Sequence, residues 1–249
     1  HGFTCRLGGV SRGEFSSLNL AFHVGDDPEL VRENRKKVMD IFGQSMDTLV
    51  AAEQVHGCHV QAVDFRDMGR GSTSLETAIP GTDALMTDKP GIMLSTYYAD
   101  CVPVFFLDPV NRVIALAHAG WKGTLQSIAA ETVRKMTGVY GTDPASCLAA
   151  IGPAIGPCCF IVDKPVFDQF NRAVDGLERF CTARGAGTWS VDLPEINKHQ
   201  LVQSGLQPEN ITLSGLCTSC RTDIFFSHRK ENGKTGRQAA ILMLKERGH

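Results

Sequence analysis

Short apolar segments alternate with polar turns through the middle of the chain, and two of them predict a hairpin. The segments VPVFFLD and RVIALAHA flank turn residues at 108–111. Both are apolar at successive positions, which predicts strands in a sheet that is covered on both faces. The same reasoning predicts further strands at 49–54, 59–63, 83–87, 91–98, 146–152 and 238–244.

Other segments have helical spacing. The clearest is DDPELVRENRKKVMDIF at 26–42, where Asp27 can cap the helix and Pro28 suits its first turn. TLQSIAAETVRKM predicts an amphipathic helix, and two more are predicted near 164–175 and 193–204. Strands and helices alternate without a regular βαβ rhythm, which favours a mixed α/β or α+β fold with buried sheets. No linker is evident, so we expect a single domain spanning residues 1–249.

Composition narrows the range of partners. Apolar residues make up 43% and charged residues 21% of the chain, and the formal net charge is −2. This balance gives no electrostatic reason to expect nucleic acid or a membrane surface as a partner. The nine cysteines are spread along a long, core-forming sequence, which favours a reducing, cytoplasmic compartment with most thiols buried and inert. We expect a monomer or a weak homo-oligomer.

Three residues share an unusual placement. His56 in EQVHG, Cys101 in ADCVP and His118 in HAGW each lie at the end of an apolar segment, beside small residues. Two imidazoles and one thiolate suit zinc and leave a fourth coordination position open for water or substrate. Two alternatives stay open: Cys101 is a nucleophile activated by His118, or the two are a small apolar core residue and a hydrogen-bonded core histidine.

The other cysteines carry a weaker signal. Cys217 and Cys220 form a single CxxC, and Cys158 is directly followed by Cys159. A structural zinc site normally needs a second pair at matching spacing, and adjacent cysteines are poorly arranged for joint chelation. We therefore interpret these four residues as structural or incidental.

Two glycine-bearing loops, RLGGVSRG and HAGWKGT, could bind anions, with Arg6 and Lys122 nearby. Neither has the glycine spacing of a nucleotide-cofactor loop. Arg229, Lys230 and Arg237 are typical of a solvated face, although SHRK could fold back toward a pocket.

An ordered series of motifs adds a resemblance to a known family. GGVS, SLNLAFHVGDD, ENR, EQVHG, GTDALMT, ADCVP, HAGWKGT, GPAIGPCCF, FFSHRK and TGRQA follow one another from residue 3 to about residue 244. This series resembles the YfiH-like family, the multicopper polyphenol oxidase (laccase-domain) proteins that are described as purine nucleoside phosphorylases. The resemblance implies a layered α/β/β/α fold related to cysteine hydrolases, and a short segment preceding residue 1.

The resemblance also implies a function. It assigns the metal ligands to His56, Cys101 and His118, with zinc as the metal. It implies phosphorolysis of adenosine, inosine, guanosine and methylthioadenosine, and deamination of adenosine, so that purine nucleosides and phosphate are the expected partners. The alternatives are a copper-dependent polyphenol oxidase, a Cys–His hydrolase and a non-catalytic small-molecule binder.

Further roles follow from motif membership and residue type. We expect Asp100 to shuttle a proton, and we expect phosphate or nucleoside contacts from Arg6, Asn19, Gln54, Lys122 and Arg229. One departure concerns HAGWKGT, because the family commonly has arginine at the position of Lys122. The lysine keeps the positive charge but cannot make a two-pronged contact with phosphate.

Overall fold

The computed structural model describes residues 1–246, in which five α-helices and thirteen β-strands form a mixed α/β fold. The helices are α1 (Pro28–Ile41), α2 (Trp121–Leu125), α3 (Ile128–Tyr140), α4 (Lys164–Ala173) and α5 (Leu193–Gln203). The strands are β1 (Gly2–Phe3), β2 (Leu49–Ala51), β3 (Val60–Ala62), β4 (Ala84–Thr87), β5 (Met93–Tyr98), β6 (Val102–Asp108), β7 (Val113–Ala119), β8 (Leu148–Ile151), β9 (Ile161–Asp163), β10 (Cys181–Gly185), β11 (Thr188–Val191), β12 (Ile211–Leu213) and β13 (Gln238–Met243). Within this range, no helix combines the length and hydropathy that crossing a membrane requires.

Two sheets form the centre of the molecule. One has four strands in the order β1-β13-β5-β2, and the other has six in the order β12-β8-β6-β7-β4-β3. Leu94 and Tyr98 of the first sheet share an apolar layer with Phe105 and Leu116 of the second. Helix α1 packs on the outer face of the four-stranded sheet, and α3 packs on the outer face of the six-stranded sheet. The layers therefore run α/β/β/α, which confirms the predicted fold class.

The strongest sequence signals coincide with observed elements. Helix α1 begins at Pro28, and the side chain of Asp27 accepts a 2.9 Å hydrogen bond from the backbone N–H of Glu29. Strands β6 and β7 form the predicted antiparallel hairpin, in register from Val102 opposite Ala119. Both strands are buried almost throughout, as expected for apolar residues on both faces.

Two regions differ from the prediction. The helix expected over TLQSIAAETVRKM is divided into α2 and α3, because Ser127 between them adopts a left-handed conformation with φ of 56°. A three-stranded antiparallel sheet, ordered β10-β11-β9, was not predicted. Much of β10 is exposed, so it has neither the apolar run nor the strict alternation that marks a buried strand.

Two chain crossovers position the candidate site. Strands β2 and β3 follow one another in the sequence, yet β2 pairs with β5 and β3 pairs with β4. The segment 52–59 therefore passes from the four-stranded to the six-stranded sheet, and residues 99–101 do the same between β5 and β6. Both crossovers reach the C-terminal end of β7, where His118 lies.

Candidate metal centre and active-site cavity

The structure brings His56, Cys101 and His118 together. Their potential ligand atoms all lie within 4.8 Å of one another. The two imidazole rings meet edge to face, with centroids 4.8 Å apart and an interplanar angle of 77°. His118 is buried at the base of the cluster, whereas His56 is exposed. The fold thus places three residues that are distant in sequence around one point.

Asp83 organises two of these three residues, and the sequence reasoning missed it. Its carboxylate lies 2.8 Å from Nδ1 of His118 and accepts backbone N–H groups of Val55, His56 and Gly57 at 2.7–3.2 Å. Burial opposes its ionisation, but the hydrogen bond from His118 and those backbone donors keep the pKa of Asp83 below its ordinary value. One carboxylate therefore fixes the ring of His118 and the loop carrying His56.

The charges in this cluster favour an ionised thiol. Burial would raise the pKa of Cys101, but the charges and hydrogen bonds of His118 and His56 lower it to about 6. Burial would likewise lower the pKa of His118, but Cys101 and Asp83 raise it to about 9. Without a metal ion, Cys101 and His118 therefore form a thiolate–imidazolium pair at neutral pH. A thiolate is the form of cysteine that binds metals.

The donor set fits a transition-metal ion. Because Nδ1 of His118 donates to Asp83, its Nε2 is left for a metal, the usual arrangement of a carboxylate-supported histidine ligand. Gly120 borders the same space: a Cβ atom there would lie 2.9 Å from Cδ2 of His56 and 3.1 Å from Sγ of Cys101. A larger residue at this position would push two donors aside, so glycine keeps the cluster open.

The cluster lies in a cavity of about 760 Å³, which suits a small organic substrate. Apolar and aromatic residues form much of its wall: Tyr97, Trp121, Ile155, Phe160, Ile161, Val162, Val166 and Leu193. Polar side chains converge from other segments: His23, Gln54, Asp100, His228, Arg229 and Arg237. A flat apolar group and an anionic group could therefore bind side by side, close to the His/Cys cluster.

Three of these polar residues were not predicted to line a site. His23 and His228 face the open cavity, yet desolvation by the surrounding protein, with a contribution from Arg237, lowers the pKa of both, that of His23 to about 4. Both are therefore neutral at pH 7. Arg237 is half-buried at the cavity wall, so its interpretation as part of a solvated face is wrong, whereas Arg229 is exposed and also lines the cavity. The folding back of SHRK was a signal that could have identified His228.

Besides the three candidate ligands, three predicted site residues line the cavity, and each of them is already hydrogen-bonded to neighbouring protein groups. Gln54 forms two hydrogen bonds with the backbone of Tyr97, at 2.7 and 2.9 Å. The carboxylate of Asp100 accepts hydrogen bonds from the hydroxyls of Thr218 and Ser227 and from the backbone N–H of Arg229, at 2.7–3.0 Å. The Nη1 atom of Arg229 donates to the carbonyls of residues 159 and 161. These contacts favour positioning roles for Gln54 and Asp100.

Within the described chain, Arg6, Asn19 and Lys122 lie outside the cavity lining. The guanidinium of Arg6 pairs with Glu231 at 2.9 Å and lies over the ring of Phe226, so its charge is already neutralised. Asn19 is fully buried, with its side-chain amide hydrogen-bonded to neighbouring segments. Lys122 is exposed on the first turn of α2, with Nζ 5.6 Å from the ring centroid of Trp121. The geometry therefore does not support the substrate contacts expected of these three residues.

Sequence similarity to proteins with named activities covers nearly the whole chain. The purine nucleoside phosphorylase YlmD of Bacillus subtilis (strain 168) is 39% identical over 245 residues, which is 98% of this chain and 88% of the relative. The adenosine deaminase RL5, from an unknown prokaryotic organism, is 34% identical over 227 residues, covering 91% of this chain and 86% of the relative.

Solved structures of related proteins also superpose on nearly the whole chain. The hypothetical protein YfiH of Bacillus licheniformis superposes with a TM-score of 0.96 at 41% identity, covering 98% of this chain and 92% of that one. YlmD of Geobacillus stearothermophilus gives the same TM-score at 39% identity, over 98% and 91% of the two chains. The sequence profile of the family described as multi-copper polyphenol oxidoreductase laccase matches residues 1–245. The chain therefore belongs to this family and has the YfiH-like fold.

Proposed function

We propose that this chain is a zinc-dependent enzyme of purine nucleosides, which cleaves them by phosphorolysis and deaminates adenosine. The observation that carries the proposal is the His56/Cys101/His118 donor set at one end of a cavity of about 760 Å³. The cavity offers apolar walls for a base and two arginines for an anion. The names of the relatives, purine nucleoside phosphorylase and adenosine deaminase, support the same substrate class.

His56, Cys101 and His118 would hold the zinc ion through two imidazole nitrogens and one thiolate. When bound, such an ion supplies Lewis-acid chemistry and an activated water. Asp83 keeps His118 in the tautomer that presents Nε2, and it fixes the loop of His56. The remaining contacts of a nucleoside would come from the cavity wall.

Different residues of the cavity wall would contact different parts of the substrate. Tyr97, Trp121 and Phe160 provide flat apolar surface for a purine. Arg229 and Arg237 are the cations in the lining, and we assign phosphate binding to them in place of Arg6 and Lys122. In phosphorolysis, a phosphate oxygen forms a bond to the anomeric carbon of ribose, and the bond between that carbon and the base nitrogen breaks. His23 and His228 are neutral at pH 7 and would serve as hydrogen-bond partners of ribose or base.

Zinc is favoured over copper by the inventory of ligands. In residues 1–246, two groups of side chains are arranged to hold a metal, and His56 and His118 are the only histidines in them. A laccase reaction that uses several copper ions would need more imidazole ligands than these groups provide. A single His₂Cys site is sufficient for zinc with an open coordination position.

The test is product analysis with purified protein. Incubation with adenosine and phosphate should give adenine and ribose 1-phosphate, and incubation without phosphate should give only inosine and ammonia. His56→Ala should abolish both reactions, whereas His199→Ala, a change at a half-buried histidine of α5 outside the cavity lining, should leave them intact. Equal rates for His56→Ala and the unmodified protein would refute the site assignment, and phenol oxidation requiring stoichiometric copper would favour the oxidase.

A Cys–His hydrolase is the second candidate, because the thiolate–imidazolium pair of Cys101 and His118 is also the arrangement of an activated nucleophile. The two candidates differ in the reactivity of Cys101. A metal ligand is protected from alkylation by the ion, whereas a nucleophile is not.

A further inference from the structure

Four cysteines that are distant in sequence meet outside the active-site cluster. The Sγ atoms of Cys158, Cys159, Cys217 and Cys220, the four-cysteine cluster, all lie within 4.8 Å of one another. The Sγ atom of Cys220 is 3.4 Å from that of Cys158 and 3.4 Å from that of Cys159. The expectation that adjacent cysteines are poorly arranged for joint chelation does not hold here, because a tight turn directs the thiols of Cys158 and Cys159 toward a single point.

The backbone holds this arrangement independently of the sulfur atoms. Strands β8 and β12 are parallel neighbours, so the loops that follow them leave the same edge of the sheet. A backbone bridge joins Ala154 to Cys217, with N–H···O bonds of 3.0 and 3.2 Å on its two sides. This bridge fixes the position of the two loops relative to each other, and each loop contributes two thiols.

The sulfur geometry suits tetrahedral coordination. Zinc–sulfur bonds of about 2.3 Å place the corners of a tetrahedron about 3.8 Å apart. Two of the Sγ–Sγ distances are 3.4 Å and none exceeds 4.8 Å, so the cluster has dimensions close to this value. A disulfide would require two sulfurs at about 2.05 Å and would leave the other two thiols unexplained.

The backbone around Cys217 favours the ligand form of this cysteine. The backbone N–H of Gly156 donates to Sγ of Cys217 at 3.2 Å, and the backbone of Cys220 donates to the same sulfur. Hydrogen bonds of this kind stabilise a thiolate and orient it toward a metal. All four thiols are free, so each can ligate.

We propose that the four-cysteine cluster is a second metal site, a closed tetrathiolate site for Zn²⁺ that joins the loops following β8 and β12. Four thiolates fill the coordination shell of zinc, so the site has a structural and not a catalytic role. It is separate from the His56/Cys101/His118 site, and it does not depend on the function proposed above.

The joined loops also support the active-site cavity. Thr218, between the two cysteines of the CxxC, donates its hydroxyl proton to the carboxylate of Asp100 at 2.7 Å. The backbone N–H of Ile155 donates to the carbonyl of Asp100 at 2.8 Å, and Arg229 donates to the carbonyl of Cys159 at 3.2 Å. Zinc in the four-cysteine cluster therefore fixes the position of the residue that precedes Cys101, and of one wall of the cavity.

Metal counting by native mass spectrometry tests the proposal. Protein purified with zinc should carry two ions per chain, and His56→Ala should carry one. Cys217→Ser/Cys220→Ser should also carry one, and Cys5→Ser, a change at a thiol outside both clusters, should carry two. If the unmodified protein and His56→Ala each carry one ion, that ion does not depend on His56. This result would support the four-cysteine site and refute the zinc site of the proposed function.

A spectroscopic measurement keeps the test independent of variants that fold poorly. Cobalt-loaded His56→Ala should show intense thiolate-to-metal charge-transfer absorption and the visible bands of tetrahedral cobalt. Its four cluster thiols should resist alkylation until the metal is chelated. A metal-free His56→Ala protein whose four thiols are alkylated in the native state, or are joined in disulfides, would overturn the proposal.

Discussion

The Nδ1 atom of His118 lies 2.8 Å from the carboxylate of Asp83, and the same carboxylate binds the backbone of the loop that carries His56. Two of the three candidate metal ligands are therefore positioned by a residue that does not itself ligate.

Removing the charge of Asp83 tests this coupling. We expect Asp83→Asn to weaken zinc binding by about 10- to 100-fold, the usual effect of losing the carboxylate behind a histidine ligand. The reason is that an amide neither fixes the His118 tautomer nor accepts all three backbone N–H groups as well. Competition with a chelator measures the affinity. Asp168→Asn, at a partly exposed ion pair on α4, serves as the control, and equal affinities for the two variants would contradict the coupling.

Gly120→Ala tests the close packing around the donors. The added methyl group would lie 2.9 Å from the His56 ring and 3.1 Å from the sulfur of Cys101, so it must displace at least one donor. We expect lower zinc occupancy and a loss of stability of about 1–3 kcal/mol, typical of overpacking.

Gly138→Ala is the matched control, because the residue lies inside helix α3 and a Cβ atom there meets nothing within 4 Å beyond its chain neighbours and the helix backbone. It should stabilise the protein by about 0.5–1 kcal/mol through helix propensity. Chemical denaturation and metal analysis of both variants provide the comparison. Full zinc occupancy in Gly120→Ala would show that the cluster has more room than its geometry indicates.

The lowered pKa of Cys101 predicts its reactivity in metal-free protein. Because the thiolate is the reactive form, alkylation by iodoacetamide should be half-maximal at about pH 6 and level off above neutrality. Burial raises the pKa of Cys147 to about 12, so this residue should stay unmodified in the native protein. Peptide mass spectrometry distinguishes the two sites.

Zinc should then protect Cys101, and a chelator should restore its reactivity. Rapid alkylation that is indifferent to zinc, together with loss of activity, would instead identify Cys101 as the nucleophile of a Cys–His hydrolase.

Arg237→Gln tests the assignment of the phosphate site. Loss of a charge-assisted hydrogen bond costs about 1.5–3 kcal/mol, so KM for phosphate in phosphorolysis should rise roughly 10- to 100-fold. Deamination of adenosine, which uses no phosphate, should change much less. Lys122→Gln should leave KM for phosphate unchanged, because Lys122 lies outside the cavity. A larger rise of KM for phosphate in Lys122→Gln than in Arg237→Gln would show that Lys122, in HAGWKGT, contacts phosphate.

The sequence predicted those parts of the fold that depend on local signals. Helix α1 has a capping aspartate and a proline at its first position, and the β6–β7 hairpin joins two apolar runs through a strong turn. The break at Ser127 could not be predicted, because a left-handed serine leaves no mark in the hydrophobic pattern. The exposed strand β10 was missed because its residues bury too little surface to produce alternation.

Where residue type and position coincided, the sequence identified residues that the fold brings together. His56, Cys101 and His118 were selected because a ligand-type side chain at the end of an apolar run lies at the edge of a sheet. Asp83 also adjoins a strand, but a lone aspartate there is equally typical of a turn. Arg6 and Lys122 were predicted as site residues from their charge and from the glycines beside them. These features do not reveal that Glu231 neutralises Arg6 or that Lys122 faces solvent.

The crossovers that carry His56 and Cys101 have a consequence for folding. Each connects the two central sheets, so a chain whose sheets have not yet docked holds these donors apart, and ion uptake must follow tertiary assembly. The zinc content of the His56/Cys101/His118 site then counts the molecules that are correctly assembled. A substitution in the apolar layer between the sheets, at Leu94 or Leu116 for example, should reduce that content without touching a ligand.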